Sequence, residues 1–211
     1  MIQSHTRQII YPDSDGQPIA DNTKQFRWIV LLKENLECVF AQAPQVFVAG
    51  DLLWYPVEGH PEIRVAPDVL IAFGRPKGDR GSYRQWEEDN VPPQVMFEVL
   101  SPGNRLTEMA KKLQFYDRYG VEEYYIYDPD RYDLSGFQRL DGKLTVIDDM
   151  TDWVSPRLGI RFVLKPNDLE IYGPEGQRFL TTIELTQQMV QEKQRAERLA
   201  AQLRSLGVEP E

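Results

Sequence analysis

The chain has 211 residues, 41% of them hydrophobic and 27% charged, which suits one domain with a sizeable core plus an appendage and argues against disorder. Its net charge of −9 argues against broad, sequence-independent affinity for nucleic-acid phosphate, and a single cysteine, Cys38, excludes an internal disulfide and a thiolate zinc cluster. No apolar stretch approaches the roughly 20 residues that span a bilayer, and Met1-Ile-Gln-Ser-His-Thr-Arg7 lacks the apolar core of a secretory signal, so a cytoplasmic location is expected.

Residues 1–22 carry Pro, Asp, Gly and Asn punctuation and read as an irregular or hairpin-like start. From Thr23 to about Gln42, Ile29, Leu32, Leu36 and Val39 recur at helical steps, predicting a helix capped by Asn22 or Thr23. Val- and Ile-rich runs over 45–49 and 65–73 predict strands, followed by a polar loop over 74–90. Pro92-Pro93 rigidifies the approach to a third apolar run over 95–100. A second helix is predicted over 105–119, with Asn104 as N-cap, Gly120 as left-handed stop, and Leu106, Met109, Leu113 and Tyr116 as its apolar stripe.

An aromatic strand follows at Glu123-Tyr-Tyr-Ile-Tyr127, then β-rich segments with turns at Asp141-Gly142 and over 174–177. Strand, helix, strand implies a crossover, which makes the strands of Glu98 and Tyr125 parallel neighbours in one mixed sheet. In the tail, Leu185, Met189, Ala196, Leu199, Leu203 and Leu206 follow steps of mostly three or four, an amphipathic helix ended by Gly207 and Pro210. The organisation expected is an α/β domain over 1–182 and a helical tail over 183–211.

Two acids stand out. Pro67-Asp68 opens the apolar run Val69-Leu-Ile-Ala-Phe73, and Glu98 sits 30 residues later inside Val95-Met-Phe-Glu-Val-Leu100. An ionised carboxylate buried in a strand loses hydration worth several kcal/mol unless a cation compensates it. Lys112 lies four residues after Glu108 and four before Tyr116, so it shares a helix flank that can face Glu98. Asp68, Glu98 and Lys112 are together a candidate metal-dependent phosphodiesterase site, with Arg75, Lys77, Arg80 and Arg84 following the first acid and Arg105, Lys111 and Arg118 the second.

Plainer readings stand beside these. Pro-Asp is a common turn, Glu98 and Lys112 can form a buried ion pair with no metal, and Tyr116, Tyr124 and Tyr125 read as core aromatics. Glu34 and Glu37 are additional acids or ordinary solvent-facing charges. The histidines, His5 and His60, are isolated and outside any metal-spacing motif. A phosphate-cradling glycine loop, a Ser-His-Asp set and a dinucleotide fingerprint are all missing.

The segments Ala66-Pro-Asp-Val69, Phe97-Glu-Val-Leu-Ser-Pro-Gly-Asn-Arg105, Glu108 to Tyr116 with Lys112 between them, and Gly120-Val-Glu-Glu-Tyr-Tyr-Ile-Tyr-Asp-Pro129 carry a resemblance. They look like the Uma-type restriction endonuclease family, formerly a domain of unknown function, over about residues 21–185. The resemblance implies a PD-(D/E)XK nuclease fold: a restriction-endonuclease-like mixed sheet flanked by helices, here with additional β-hairpins and a C-terminal helix. It implies a divalent-metal-dependent endonuclease hydrolysing phosphodiester bonds in DNA. Asp68 matches its first acid, Glu98 its second, and Lys112 a lysine on the following helix. The usual E-x-K lysine would fall at Leu100, so the resemblance implies that Lys112 replaces it, and the family more often has Asp at the position of Glu108.

Magnesium or manganese would sit on Asp68, Glu98 and the Val99 carbonyl, because hard cations take oxygen ligands. The apolar tail stripe, together with the two active sites that duplex cleavage requires, implies a homodimer. The contrasting reading is a non-catalytic, self-associating scaffold that retains the nuclease fold.

Overall fold

A computed structural model describes residues 9–206; His5 and the tail end expected at Gly207 and Pro210 lie outside them. The described residues form two units, the first ending at Arg178 and the second beginning at Phe179. In the first, Asn22 caps helix α1 (Thr23–Val39) by accepting from the Lys24 and Gln25 amides, and Trp28, Ile29, Leu32 and Leu36 form its buried face. The helix stops short of the expected Gln42, and strand β1 (Val46–Gly50) follows.

Next come β2 (Trp54–Tyr55), β3 (Val69–Phe73), β4 (Tyr83–Arg84), a 3-10 turn over Gln85–Glu87 and β5 (Val95–Val99). The predicted strand over 65–73 is therefore shorter: Val65 makes only an isolated bridge to Trp54, and Pro67, which has no N–H, keeps the ladder from starting before Val69. The loop expected over 74–90 holds the short strand β4 and the 3-10 turn.

Helix α2 (Leu106–Arg118) leads into β6 (Glu123–Asp128), and β7 (Asp133–Leu140), β8 (Lys143–Val146), β9 (Arg161–Lys165) and β10 (Asp168–Tyr172) complete the unit. Six strands form one sheet in the order β1-β3-β5-β6-β7-β8. Only β5 and β6 pair in parallel in it, Glu98 against Ile126, as the α2 crossover requires. The pairs β9-β10 and β2-β4 stand as two-stranded sheets. At the β7–β8 hairpin Asp141 and Gly142 both take positive φ, 50° and 83°, the geometry of a two-residue primed turn.

Alternation along the strands sorts the core. Phe47, Leu70, Ala72, Met96 and Tyr124 share one cluster with Tyr116 of α2 and with Trp54 and Tyr83. The intervening residues face the other side, where α1 packs, for example Trp28 edge-on to Tyr127 at 4.6 Å. The sheet is thus covered by α2 on the Glu98 face and by α1 on the opposite face.

The start of α2 differs from expectation. Its N-cap is Arg105, without a side-chain bond, because the side-chain Oδ1 of Asn104 turns back to accept from the Ser101 amide at 2.7 Å. Leu106 is consequently 86% exposed, and the buried stripe is Met109 and Tyr116, with Leu113 half-buried.

In the second unit, Thr181 and Glu184 form a reciprocal capping box at the start of α3 (Thr182–Ser205). None of its residues is buried, and Ile183, Leu185, Met189, Val190, Leu199 and Leu203 are exposed. Among the described residues no helix is long and apolar enough to cross a membrane.

Candidate active site

Asp68 stands one position before β3, and the β3–β5 register, Val69 against Phe97, brings it opposite Glu98 on the α2 face. Its Oδ2 accepts from the Val99 amide at 2.6 Å, which fastens the acid to the neighbouring strand. Glu98 is 3% exposed, and both of its oxygens have donors. Lys112 Nζ lies 2.7 Å from Oε2, and the Tyr116 hydroxyl donates to Oε1 at 2.6 Å. Lys112 also donates to the Ala66 carbonyl at 3.3 Å, so it bridges the segments that carry the two acids.

The two donors stand one helical turn apart on α2, the spacing at which side chains stack on one helix face. The far end of that helix is held by Arg139 of β7, which donates to the carbonyls of Asp117 and Val121, each at 2.7 Å, and pairs with the Asp117 carboxylate at 3.2 Å. A guanidinium on the last carbonyls satisfies groups that a helix leaves open and opposes its dipole.

The electrostatics follow from burial. Asp68 is raised from 3.8 to about 8, first by burial and then by the Glu98 charge, with the Val99 amide and Lys112 opposing. Burial presses on the Lys112 ammonium, but the charge and hydrogen bond of Glu98 outweigh it and hold its pKa above the ordinary 10.5. Burial, reinforced by the Glu98 charge, pushes Tyr116 well above 10, so it remains a phenol and a donor.

Asp68, Glu98 and Lys112 therefore meet, joined by Tyr116, which the sequence marked only as core, and by Gln25 and Asp51, which it did not single out. Tyr116 reads as core by its spacing, which it is, but its hydroxyl reaches the acid; its position four residues after Lys112 was the available signal. Gln25, 6% exposed in the first turn of α1, donates to the Val99 carbonyl at 2.9 Å and accepts from the Asp21 amide, a link without sequence signature. Asp51 follows β1 with φ at +48° and its amide on the Asp68 carbonyl. Its carboxyl is raised by burial, then by Asp15, with Glu98 adding to the shift and Lys112 opposing it.

Other charged candidates make local pairs. Glu34 and Glu37 both pair with Lys33. Arg75 and Arg80 converge on Glu88, while Arg84 pairs with Glu87 and Asp13. Lys77 lines a cavity of about 300 Å³ beside β1, with Lys33 and Arg80. His60 faces Glu62 at 2.9 Å.

The donors fit a hard divalent cation. Asp68, Glu98 and Val99 offer only oxygen, and a cation beside Asp68 would relieve the burial and repulsion that raise its pKa. Among the described residues no three His, Cys, Asp or Glu side chains gather closely enough to hold a metal. Magnesium keeps several waters and is commonly bound by one or two carboxylates plus a substrate phosphate. The Val99 carbonyl, with two lone pairs, keeps one beyond the Gln25 bond.

In this α/β protein Asp68, just ahead of β3, and Glu98 of β5 stand opposite each other with the helix-borne Lys112 on one sheet face. The chain belongs to the Uma2 family, described as "Putative restriction endonuclease", whose model matches residues 8–167. Among solved structures it is similar to one described as a putative nuclease belonging to DUF820 from Anabaena variabilis. The identity is 14% and the TM-score 0.47, over 64% of this chain and 72% of that one. No curated protein matches the chain.

Proposed function

We propose that the protein is a divalent-metal-dependent endonuclease hydrolysing phosphodiester bonds in DNA, with Asp68, Glu98 and Lys112 as its catalytic residues. The observation that carries this reading is the Lys112 ammonium 2.7 Å from Glu98, on the sheet face where Asp68 stands. Membership of the Uma2 family supports it. Magnesium or manganese, bound by Asp68, Glu98 and the Val99 carbonyl, would supply an acidified water and charge neutralisation at the phosphate.

The chain's own residues do the rest. Asp68 would hold the cation as the ionised carboxylate, and its hydrogen bond from the Val99 amide keeps that carboxylate aimed across the strands. Gln25 fixes the direction of the Val99 carbonyl. Lys112, charged and with its side chain 18% exposed, can turn from Glu98 toward a phosphate oxygen and stabilise the charge that grows there. We further infer a homodimer, supported by the exposed apolar residues of α3 and by the two strands that a duplex presents.

Lys112→Met tests the reading. DNA cleavage with magnesium or manganese should fall by about 10²–10³ while the fold and Mn2+ binding persist. A folded wild type that cleaves no DNA with any divalent metal would remove the catalytic role and favour the scaffold reading.

A further inference from the structure

Glu98 is held by two donors of different kinds. Lys112 brings a positive charge to Oε2 at 2.7 Å, and Tyr116 brings a neutral hydroxyl to Oε1 at 2.6 Å. A cation approaching the carboxylate competes with an ammonium already there, since both are positive and share one small site. A phenol does not compete, because it carries no charge and leaves the second lone pair of Oε1 open.

Freedom to move differs as well. The Lys112 ammonium ends a four-carbon stem with rotatable bonds and its side chain is 18% exposed, whereas Tyr116 is fully buried. The Tyr116 ring is stacked on Trp54 at 6.5 Å and meets Tyr124 edge-on at 4.8 Å. The lysine can leave Glu98; the tyrosine cannot leave without unpacking the core.

We propose that Tyr116 is a positioning residue of the metal site, holding Glu98 in its binding orientation through Oε1 while Lys112 departs for the phosphate. This rests on the reading of Asp68, Glu98 and Lys112 given above. Ligating carboxylates are commonly oriented by a hydrogen bond from a residue that does not itself touch the metal, and removing that residue costs about 10- to 100-fold in metal affinity.

The test is Mn2+ binding to the full-length protein without nucleic acid, by calorimetric titration of wild type, Tyr116→Phe and Lys112→Met. Phe keeps the ring and removes only the donor. Tyr116→Phe should weaken Mn2+ at least tenfold, while Lys112→Met, which removes a competing charge, should bind Mn2+ as tightly as wild type or more so. Equal Mn2+ affinity in folded Tyr116→Phe and wild type would overturn the positioning role, because a purely packing residue predicts that result. So would an equal loss in both variants. A wild type that binds no Mn2+ would overturn the metal reading itself and this proposal with it, an outcome visible before any variant is made. Should Tyr116→Phe fail to fold, a ring-fluorinated tyrosine at position 116 changes donor strength with little change of shape. An Mn2+ affinity that then stays put again overturns the proposal.

Discussion

Asp68 sets the charge balance of the site, and its titration has a definite sign. Its carboxyl is raised from 3.8 to about 8 by burial and by Glu98. Below both values folded and unfolded chains hold the proton equally. Between them the unfolded chain releases it and the native one does not, so metal-free stability falls as pH rises and levels off above about 8. Replacing Asp68 with Asn removes that loss. In denaturant titrations without metal, Asp68→Asn should gain on wild type by a few kcal/mol (order of magnitude) between about pH 5 and pH 8.5. A difference independent of pH would show that Asp68 is not held protonated. Cation binding requires the ionised acid, so wild-type Mn2+ affinity should rise toward about pH 8, with proton release below it. Loss of Mn2+ binding in both Asp68→Ala and Glu98→Ala is the companion expectation, and unchanged binding in both would dismiss the ligand assignment.

Helix α2 decides the geometry, since it carries both donors to Glu98. Arg139 anchors its last turn from β7. Arg139→Ala should destabilise the domain by about 2 kcal/mol, because a charged hydrogen-bond set is lost at half-buried carbonyls. Thermal melts of the variant check this, and an unchanged midpoint would mean that the carbonyls find water instead. The central elements were legible in the sequence because their signals are local: Asn22 caps α1, Gly120 follows α2 with φ at 91°, and the crossover makes β5 and β6 parallel. Asp68 and Glu98 were legible because a carboxylate in an apolar run conflicts with its surroundings. Gln25 and Asp51 were not, because their importance comes from contacts between residues far apart in the chain. The start of α2 was misread at Asn104, a residue type equally suited to cap a helix or close a turn. The two-residue strands β2 and β4 are too short for periodicity to register.

If the protein pairs with a second copy, light scattering should give twice the chain mass of 24.5 kDa. Deleting residues after Thr182 should weaken but not abolish that association; a full-length monomer at high micromolar concentration would refute the dimer. The location of Glu98 has a different consequence. It is the fourth residue of β5, a strand buried at all five positions and paired on both sides. Its amide can exchange with deuterated solvent only when the domain opens globally, whereas the first turn of α2, where Leu106 is 86% exposed, is free to fray alone. Labelling should therefore reach the start of α2 early and β5 last. Acid and lysine live on different clocks: a partial opening can release Lys112 while Glu98 stays seated in the sheet, and the reverse requires unfolding.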